Sequence, residues 1–285
     1  MSKRLQVLFG LKWNPFTPEV PVEAFLSTAA IDSFLWRVEQ LVADGGFALI
    51  SGEPGSGKTA VLRLVAERLK KLPDLRVEIL SRPQSRAADF YRELGELFGV
   101  TLSPHNRWAS TKVLRECWQA HIERSLFRPV VLVDEAQEMP PVVLGELRLL
   151  SATQLDTRVL LSCVLCGDSR LLDKLRLPEL LPLASRMRAR LPIEAASQDK
   201  LRQCLVHTLE AAGNRQLLTP ALIDTLCAHA AGNHRVLMNL GAELLAAAVE
   251  RNLPQIDEKL FFELYHPPRT PARRSNASGS SGGAR

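Results

Sequence analysis

Apolar residues recur every three or four positions from about Ala29 to Ala43, where Ile31, Phe34, Leu35, Val38, Leu41 and Val42 fall on one face. That period predicts an amphipathic helix, ended by Gly45-Gly46. The pattern then changes. Phe47-Ala48-Leu49-Ile50-Ser51 is a short apolar run of strand length, followed by a glycine-rich turn and a helix from about Lys58 to Leu72, stopped by Pro73. Val77 to Leu80 reads as a strand, about Ala87–Phe98 and Thr111–Ser125 as helices, and Val130 to Val133 as a fully apolar strand. Val159 to Leu165 reads as another strand, and Arg190–Ile193 would close the set. Unbroken apolar strands separated by helices predict an α/β fold, with a central parallel β-sheet flanked by helices on both faces.

From Ser197 onward only helical patterns remain. One runs from about Gln198 to Ala212, with Ser197 as its N-cap and Gly213 as its stop. A second begins at Thr219-Pro220, a capping residue followed by proline in the first turn, and ends near Gly232. The last covers about His234 to Arg251. The predicted organisation is an N-terminal segment over 1–20, an α/β core over 21–195, a small C-terminal helical lid over 196–266 and a disordered basic tail over 267–285. The tail is Pro-Pro, then Arg-rich, then Ser/Gly-rich.

Composition narrows the class. Of 285 residues, 46% are hydrophobic and 24% charged, which fits an ordinary globular protein and excludes a disordered chain or a collagen-like repeat. No stretch reaches the 18 or so uninterrupted apolar residues of a membrane helix, so no integral membrane segment is expected. Behind Lys3 and Arg4 the apolar run Leu5 to Leu11 is broken by Gln6, too short for a secretory signal, so the expected location is cytoplasmic. Five scattered cysteines fit reduced core thiols. The formal charge is +5, but Arg269, Arg273, Arg274 and Arg285 lie in the tail without an acid, leaving 5 − 4 = +1 for the body. Charge alone therefore gives little support for nucleic-acid binding.

Two motifs carry chemistry. Gly52-Glu53-Pro54-Gly55-Ser56-Gly57-Lys58-Thr59, with Ala60 behind it in the helix, matches the phosphate-loop pattern G-x-x-x-x-G-K-[ST] between a strand and a helix. Its glycines let backbone N–H groups wrap the phosphates of ATP, Lys58 neutralises their charge, the Thr59 hydroxyl ligates Mg²⁺, and the positive end of the helix adds to the attraction. The second motif is Val130-Val131-Leu132-Val133-Asp134-Glu135, an acid pair at the carboxyl end of a buried strand. There Asp134 holds Mg²⁺ and Glu135 activates the attacking water, since ligands of open α/β sheets bind at that edge. Cys163-x-x-Cys166 looks like half a metal site, but strand positions three apart face opposite sides, which rejects zinc.

With these motifs the chain resembles the AAA+ ATPases, and within them the ExeA-like group, over about residues 8 to 262. That group takes in a secretion-pathway ATPase and the transposition ATPases TnsC and TniB, with MuB more distant. The resemblance rests on Phe9-Gly10-Leu11 with Asn14-Pro15-Phe16, on Asp134-Glu135-Ala136-Gln137, and on Ala231-Gly232-Asn233-His234-Arg235. It implies a polar sensor near Asp168, where the group usually carries Gln or Asn; an ionised aspartate cannot donate to phosphate, and Ser162 is the alternative. It implies an arginine reaching a neighbouring subunit's site, Arg186 before Arg188, and a lid arginine, Arg235, at the γ-phosphate. Asn14-Pro15-Phe16 either packs beside the adenine or plugs a hydrophobic gap.

The resulting expectation is an ATP-hydrolysing regulator of DNA transposition. It would assemble as a homo-oligomer, ring or helical filament, on duplex DNA without sequence preference, and recruit or activate a transposase. The stand-alone layout and basic tail motivate that expectation. The alternative is an ExeA-like secretion or assembly ATPase with a membrane partner; a small-molecule phosphotransferase leaves the arginine and lid features unexplained. Arg82, Arg86, Lys112 and Lys3 are the candidate DNA contacts.

Overall fold

The computed structural model describes residues 2–103, 105–124, 126–153 and 158–265. The tail expected to be disordered lies outside these residues, as does Ser125 at the end of the helix expected over 111–125. In chain order the elements are α1 (Ser2–Phe9), α2 (Ala29–Asp44), β1 (Phe47–Gly52), α3 (Lys58–Lys70), β2 (Leu75–Leu80), α4 (Ala87–Phe98), α5 (Arg107–Glu123) and β3 (Arg128–Val133). Then come α6 (Pro141–Ser151), the short hairpin β4 (Ala152–Thr153) and β5 (Arg158–Val159), β6 (Ser162–Gly167), α7 (Ser169–Leu175), α8 (Leu181–Ala184) and β7 (Met187–Ile193). The helices α9 (Gln198–Ala212), α10 (Pro220–Ala230), α11 (His234–Arg251) and α12 (Glu258–Tyr265) complete the chain.

Five strands pair in parallel in the order β2-β3-β6-β1-β7. Alternate residues of each strand feed opposite faces, as the pleat requires. Phe47, Leu49, Val131, Val133, Cys163 and Leu165 join one core under α4 to α8. Ala48, Ile50, Val130, Leu132, Val164 and Cys166 join the other, under α2 and α3. Cys163 and Cys166 thus sit in different cores, and burial raises both thiols above their ordinary range.

Because β6 lies between β1 and β3, the carboxyl ends of these three strands stand side by side. The chain departs from β1 toward β2 on one flank and returns to β7 on the other, which opens a crevice at that edge. The topology therefore brings together the turns after Gly52, Val133 and Gly167.

The lid has its own core, built by α9 to α12 and also by the start of the chain. Leu5, Phe9, Leu11 and Phe16 are buried among Leu205, Leu222, Leu237 and Phe261. Backbone bonds fix this strap: Lys12 N–H donates to Ala212 O at 2.8 Å, and Asn214 Nδ2 donates to Phe9 O at 2.8 Å. Phe16 lies so close to α11 that a Cβ on Gly241 would collide with its ring. Of the two readings of Asn14-Pro15-Phe16, the geometry supports the hydrophobic plug.

Candidate functional site

The turn after β1 is shaped by its glycines. Gly55 (φ +82°) and Gly57 (φ +100°) hold backbone conformations that side chains resist, and a Cβ on Gly52 would run into Ile193 O and Ser56 Oγ. Gly57 leads directly into α3, so the first free N–H groups of that helix open onto the crevice. Lys58 is only 6% exposed, and its Nζ donates to Glu53 O at 3.0 Å. Ser56 Oγ is buried without a hydrogen-bond partner among the described residues. A buried ammonium beside glycine-shaped backbone suits a polyanion.

On the neighbouring turn Thr59 Oγ1 donates to Asp134 Oδ2 at 2.8 Å. A hydroxyl and a carboxylate in contact form the hard-oxygen pair that Mg²⁺ takes when substrate phosphates supply its remaining ligands. Glu135 comes next, with its side chain exposed and its backbone in the left-handed region (φ 50°). A non-glycine residue there carries about 1 kcal/mol of strain, a cost that clusters at functional sites. Glu135 N–H donates back to Asp134 Oδ1 at 2.9 Å, tightening the turn.

Gln137 ties this turn to the end of β6. Its Nε2 donates to Glu135 Oε2, its Oε1 accepts from Asp168 N–H at 3.2 Å, and the side chain is 3% exposed. Lys174 of α7 secures the same turn by donating to the carbonyls of Gln137 and Met139.

Asp168 stands at the carboxyl end of β6, inside the crevice, but its carboxylate is already in use. It caps α7 by accepting from Arg170 N–H at 2.9 Å and pairs with the Arg170 guanidinium at 2.8 Å; Arg170 also reaches Glu138 at 3.0 Å. Burial alone would raise this acid, yet the hydrogen bonds and charge of Arg170 hold it below its ordinary value. An ionised, capping aspartate offers phosphate no donor. Ser162, the alternative sensor, begins β6 and pairs beside Val130, at the opposite end of the strand from the phosphate loop.

The lid touches the loop directly. His234 N–H donates to Gly55 O at 2.9 Å and Asn233 Nδ2 donates to Pro54 O at 3.1 Å. Arg235 is next, exposed in the first turn of α11. The other two arginines lie elsewhere. Ile193 at the end of β7 pairs with Gly52, so Arg186, just before β7, is roughly 20 Å of strand away from its own loop. Its Nη1 donates to Pro182 O at 2.6 Å. Arg188 bonds Gly45 O at 3.3 Å and approaches Asp44 at 3.7 Å, joining α2 to the sheet edge.

The structure thus brings together Gly52 to Ala60, Asp134, Glu135 and Asp168, sets Arg235 one residue from the lid's contact with the loop, and leaves Arg186 and Arg188 at the far end of the sheet. Sequence reasoning gave no role to Gln137, Asn233 or His234. Asn233 carried a readable signal, an Asn directly before a helix; the bridging role of Gln137 carried none, since its second partner, Asp168, follows a different strand.

Residues 42–175 match the AAA domain family. General secretion pathway protein A of Aeromonas hydrophila is 31% identical over 253 residues, covering 87% of this chain and 45% of that protein, so the chain spans less than half of its curated relative's length. Among solved structures, Cdc6p from Pyrobaculum aerophilum superposes with TM-score 0.68 at 15% identity, over 85% of this chain and 67% of that one. The Aeropyrum pernix ORC1 protein in complex with DNA gives 0.66 at 21%, over 87% and 67%. The Thermotoga maritima RuvB Holliday junction branch migration motor gives 0.54 at 15%, over 88% and 72%. At such identities these structures speak for the fold alone. Fold and family match together define a P-loop protein of the AAA+ class. Within that class the chain is similar to the ExeA-like AAA+ ATPases, through its 31% identity to General secretion pathway protein A.

Proposed function

We propose that this protein is an ATP-driven switch that binds ATP between core and lid and hydrolyses it when protomers assemble. The observation that carries the reading is the contact of Thr59 with Asp134, flanked by buried Lys58 and by Glu135. The free backbone N–H groups within residues 52–60 (Pro54 has none) and Lys58 hold the phosphates. Thr59 and Asp134 would hold Mg²⁺, which supplies charge neutralisation between the β- and γ-phosphates when bound. Glu135 accepts a proton from the attacking water, and Gln137 keeps its carboxylate aimed. Asp168 serves by anchoring α7 and the Gln137 bridge rather than by donating to phosphate.

Arg235 reads the γ-phosphate from the lid. Arg186, too distant for its own site, completes a neighbour's; Arg188, two residues on, is the alternative for that role. Purified protein should retain MgATP and release phosphate with no acceptor added. Absence of both at millimolar ATP refutes the reading.

The finer role we infer is regulation of DNA transposition: the protein oligomerises on duplex DNA and recruits or activates a transposase. A protein of the same fold, ORC1, was solved in complex with DNA, and here Arg82 and Arg86 are both exposed in the loop at the carboxyl end of β2, open to a phosphate backbone. Lys112 and Lys3 belong to other elements, α5 and α1. Gel shifts with duplex DNA should show binding that requires ATP and weakens steeply with salt; binding indifferent to nucleotide overturns it. A second reading, a secretion or assembly ATPase acting with a membrane partner, is favoured by the 31% identity to General secretion pathway protein A. Among the described residues no helix is long and apolar enough to cross a membrane, so on that reading the membrane partner is a separate protein or lies outside them. Co-purification with inner-membrane proteins in place of DNA selects this alternative.

A further inference from the structure

The start of α11 leaves no donor to spare. A helix begins with N–H groups that lack partners within it. Here Asn233 Oδ1 accepts from Arg235 N–H at 2.9 Å and from Val236 N–H at 3.2 Å. Leu237 N–H returns to Asn233 O at 3.1 Å, and His234 N–H goes to Gly55 O at 2.9 Å. All of the first donors are spent on protein acceptors, so this helix end is not an anion site in the described state.

The Asn233 amide is used at both ends. Its oxygen caps α11 while its nitrogen donates to Pro54 O at 3.1 Å. The approach is close enough that a Cβ on Gly55 would collide with the Asn233 side chain. The turn before it is fixed as well: Ala196 N–H donates to Gly232 O at 3.0 Å, and a Cβ on Gly232 (φ +85°) would press on Ala196 O. The loop between α10 and α11 is thereby tied both to the connection between core and lid and to the phosphate loop.

In a trans peptide the C=O and N–H point in opposite directions. Holding Pro54 O toward the lid turns Gly55 N–H away from it; holding Gly55 O turns Ser56 N–H back into the loop, where it donates to Glu53 O at 3.1 Å. We infer that Asn233 is a positioning residue, a latch that docks the lid onto the backbone of residues 54–55 and in doing so sets the direction of Gly55 N–H and the closure of the turn that forms the phosphate cradle. Lid docking and phosphate-cradle geometry are then a single event, coupled through the protein itself and independent of any contact from Arg235. The inference rests on the ATP-site reading for its functional consequence, though not for its structural one.

The test compares Asn233→Ser with Asn233→Ala. Serine keeps a neutral capping oxygen but lacks the amide that reaches Pro54; alanine loses both. In Asn233→Ser the melting temperature without nucleotide should stay within about 2 °C of the parent. KM for ATP and Kd for ADP should both rise about tenfold, while kcat at saturation stays within about twofold. Amide hydrogen exchange over residues 53–58, measured without nucleotide, should speed up in both variants. Asn233→Ala should share the rise in KM and also melt lower. Parent-like exchange and parent-like KM in Asn233→Ser overturn the latch and leave a helix cap. If the parent protein itself does not bind nucleotide, the ATP-site reading fails, while the exchange measurement still decides the latch.

Discussion

Thr59 Oγ1 donates to Asp134 Oδ2 across 2.8 Å although the two residues are 75 positions apart. Strand order makes this contact: Thr59 lies in the first turn of α3 after β1, and Asp134 directly follows β3, one strand beyond β6. Asp134→Asn keeps the shape and removes the charge that Mg²⁺ needs. Nucleotide affinity measured in EDTA should match that of the parent, whereas the gain on adding Mg²⁺ should shrink by about 10–100-fold. An undiminished Mg²⁺ effect in the variant would remove Asp134 from the metal site.

Glu135 and Gln137 should act as one unit, because the amide of one holds the carboxylate of the other. Glu135→Gln should bind ATP normally, lose about 10²–10⁴-fold in turnover, and leave ATP-bound assemblies intact in sedimentation. Gln137→Leu leaves the Asp168 N–H without its acceptor, a cost of about 1–3 kcal/mol in unfolding free energy. It should also slow turnover about tenfold by releasing the Glu135 carboxylate. The decisive measurement is the double variant. If Gln137 works through Glu135, adding Gln137→Leu to Glu135→Gln costs no further activity; an additive loss means Gln137 acts by another route.

Contiguous features were the ones legible in the sequence. The phosphate loop and the acid pair after β3 each fit within eight residues, so their chemistry is visible before folding. Edges and long-range pairs were not. β7 begins at Met187, three residues before the expected start, because Arg188 and Arg190 point outward on an edge strand and interrupt the apolar run. β6 begins at Ser162 and not at Val159, since Val159 belongs to the short β5 and the apolar pattern continues across the break. α6 was hidden by Pro140-Pro141, which reads as a stop but puts proline in a first helical turn, where its missing N–H costs nothing. The helix expected to end near Gly232 closes at Ala230, with Ala231 taking the left-handed cap. α1 joins the lid core from the other end of the chain, a relation no local pattern encodes.

His234 makes the junction of lid and loop sensitive to pH. Burial lowers its imidazole pKa below the ordinary value of 6.5, since the charged form loses hydration. The unfolded chain therefore binds the proton more readily than the folded one, and stability falls as pH drops from about 6.5 toward the folded pKa. Above that window the neutral ring costs nothing. Urea titrations at several pH values should show the midpoint declining below about pH 6.5 in the parent. His234→Gln should flatten that part of the slope; an unchanged slope assigns it to other groups.

Arg186 makes its prediction through distance. The strand β7 separates it from its own phosphate loop, so any role at a γ-phosphate requires a second protomer. Arg186→Ala should leave nucleotide binding by isolated protomers unchanged and abolish the rise of specific activity with protein concentration. Arginines of this kind have been worth about 10³–10⁵ in rate, so the loss should be plain well above background. Mixing gives the sharper measurement. Arg186→Ala has an intact site without a neighbour's arginine, and Lys58→Ala has an intact arginine without a working site. Each variant alone should be nearly inactive, while a mixture should recover part of the parent activity, because some interfaces then pair a good site with a good arginine. Arg188→Ala, which only loosens the end of α2, should behave like the parent in the same mixture. If mixing restores nothing although the two variants co-assemble, Arg186 does not act across the interface, and its role is confined to contacts within its own protomer such as the bond to Pro182.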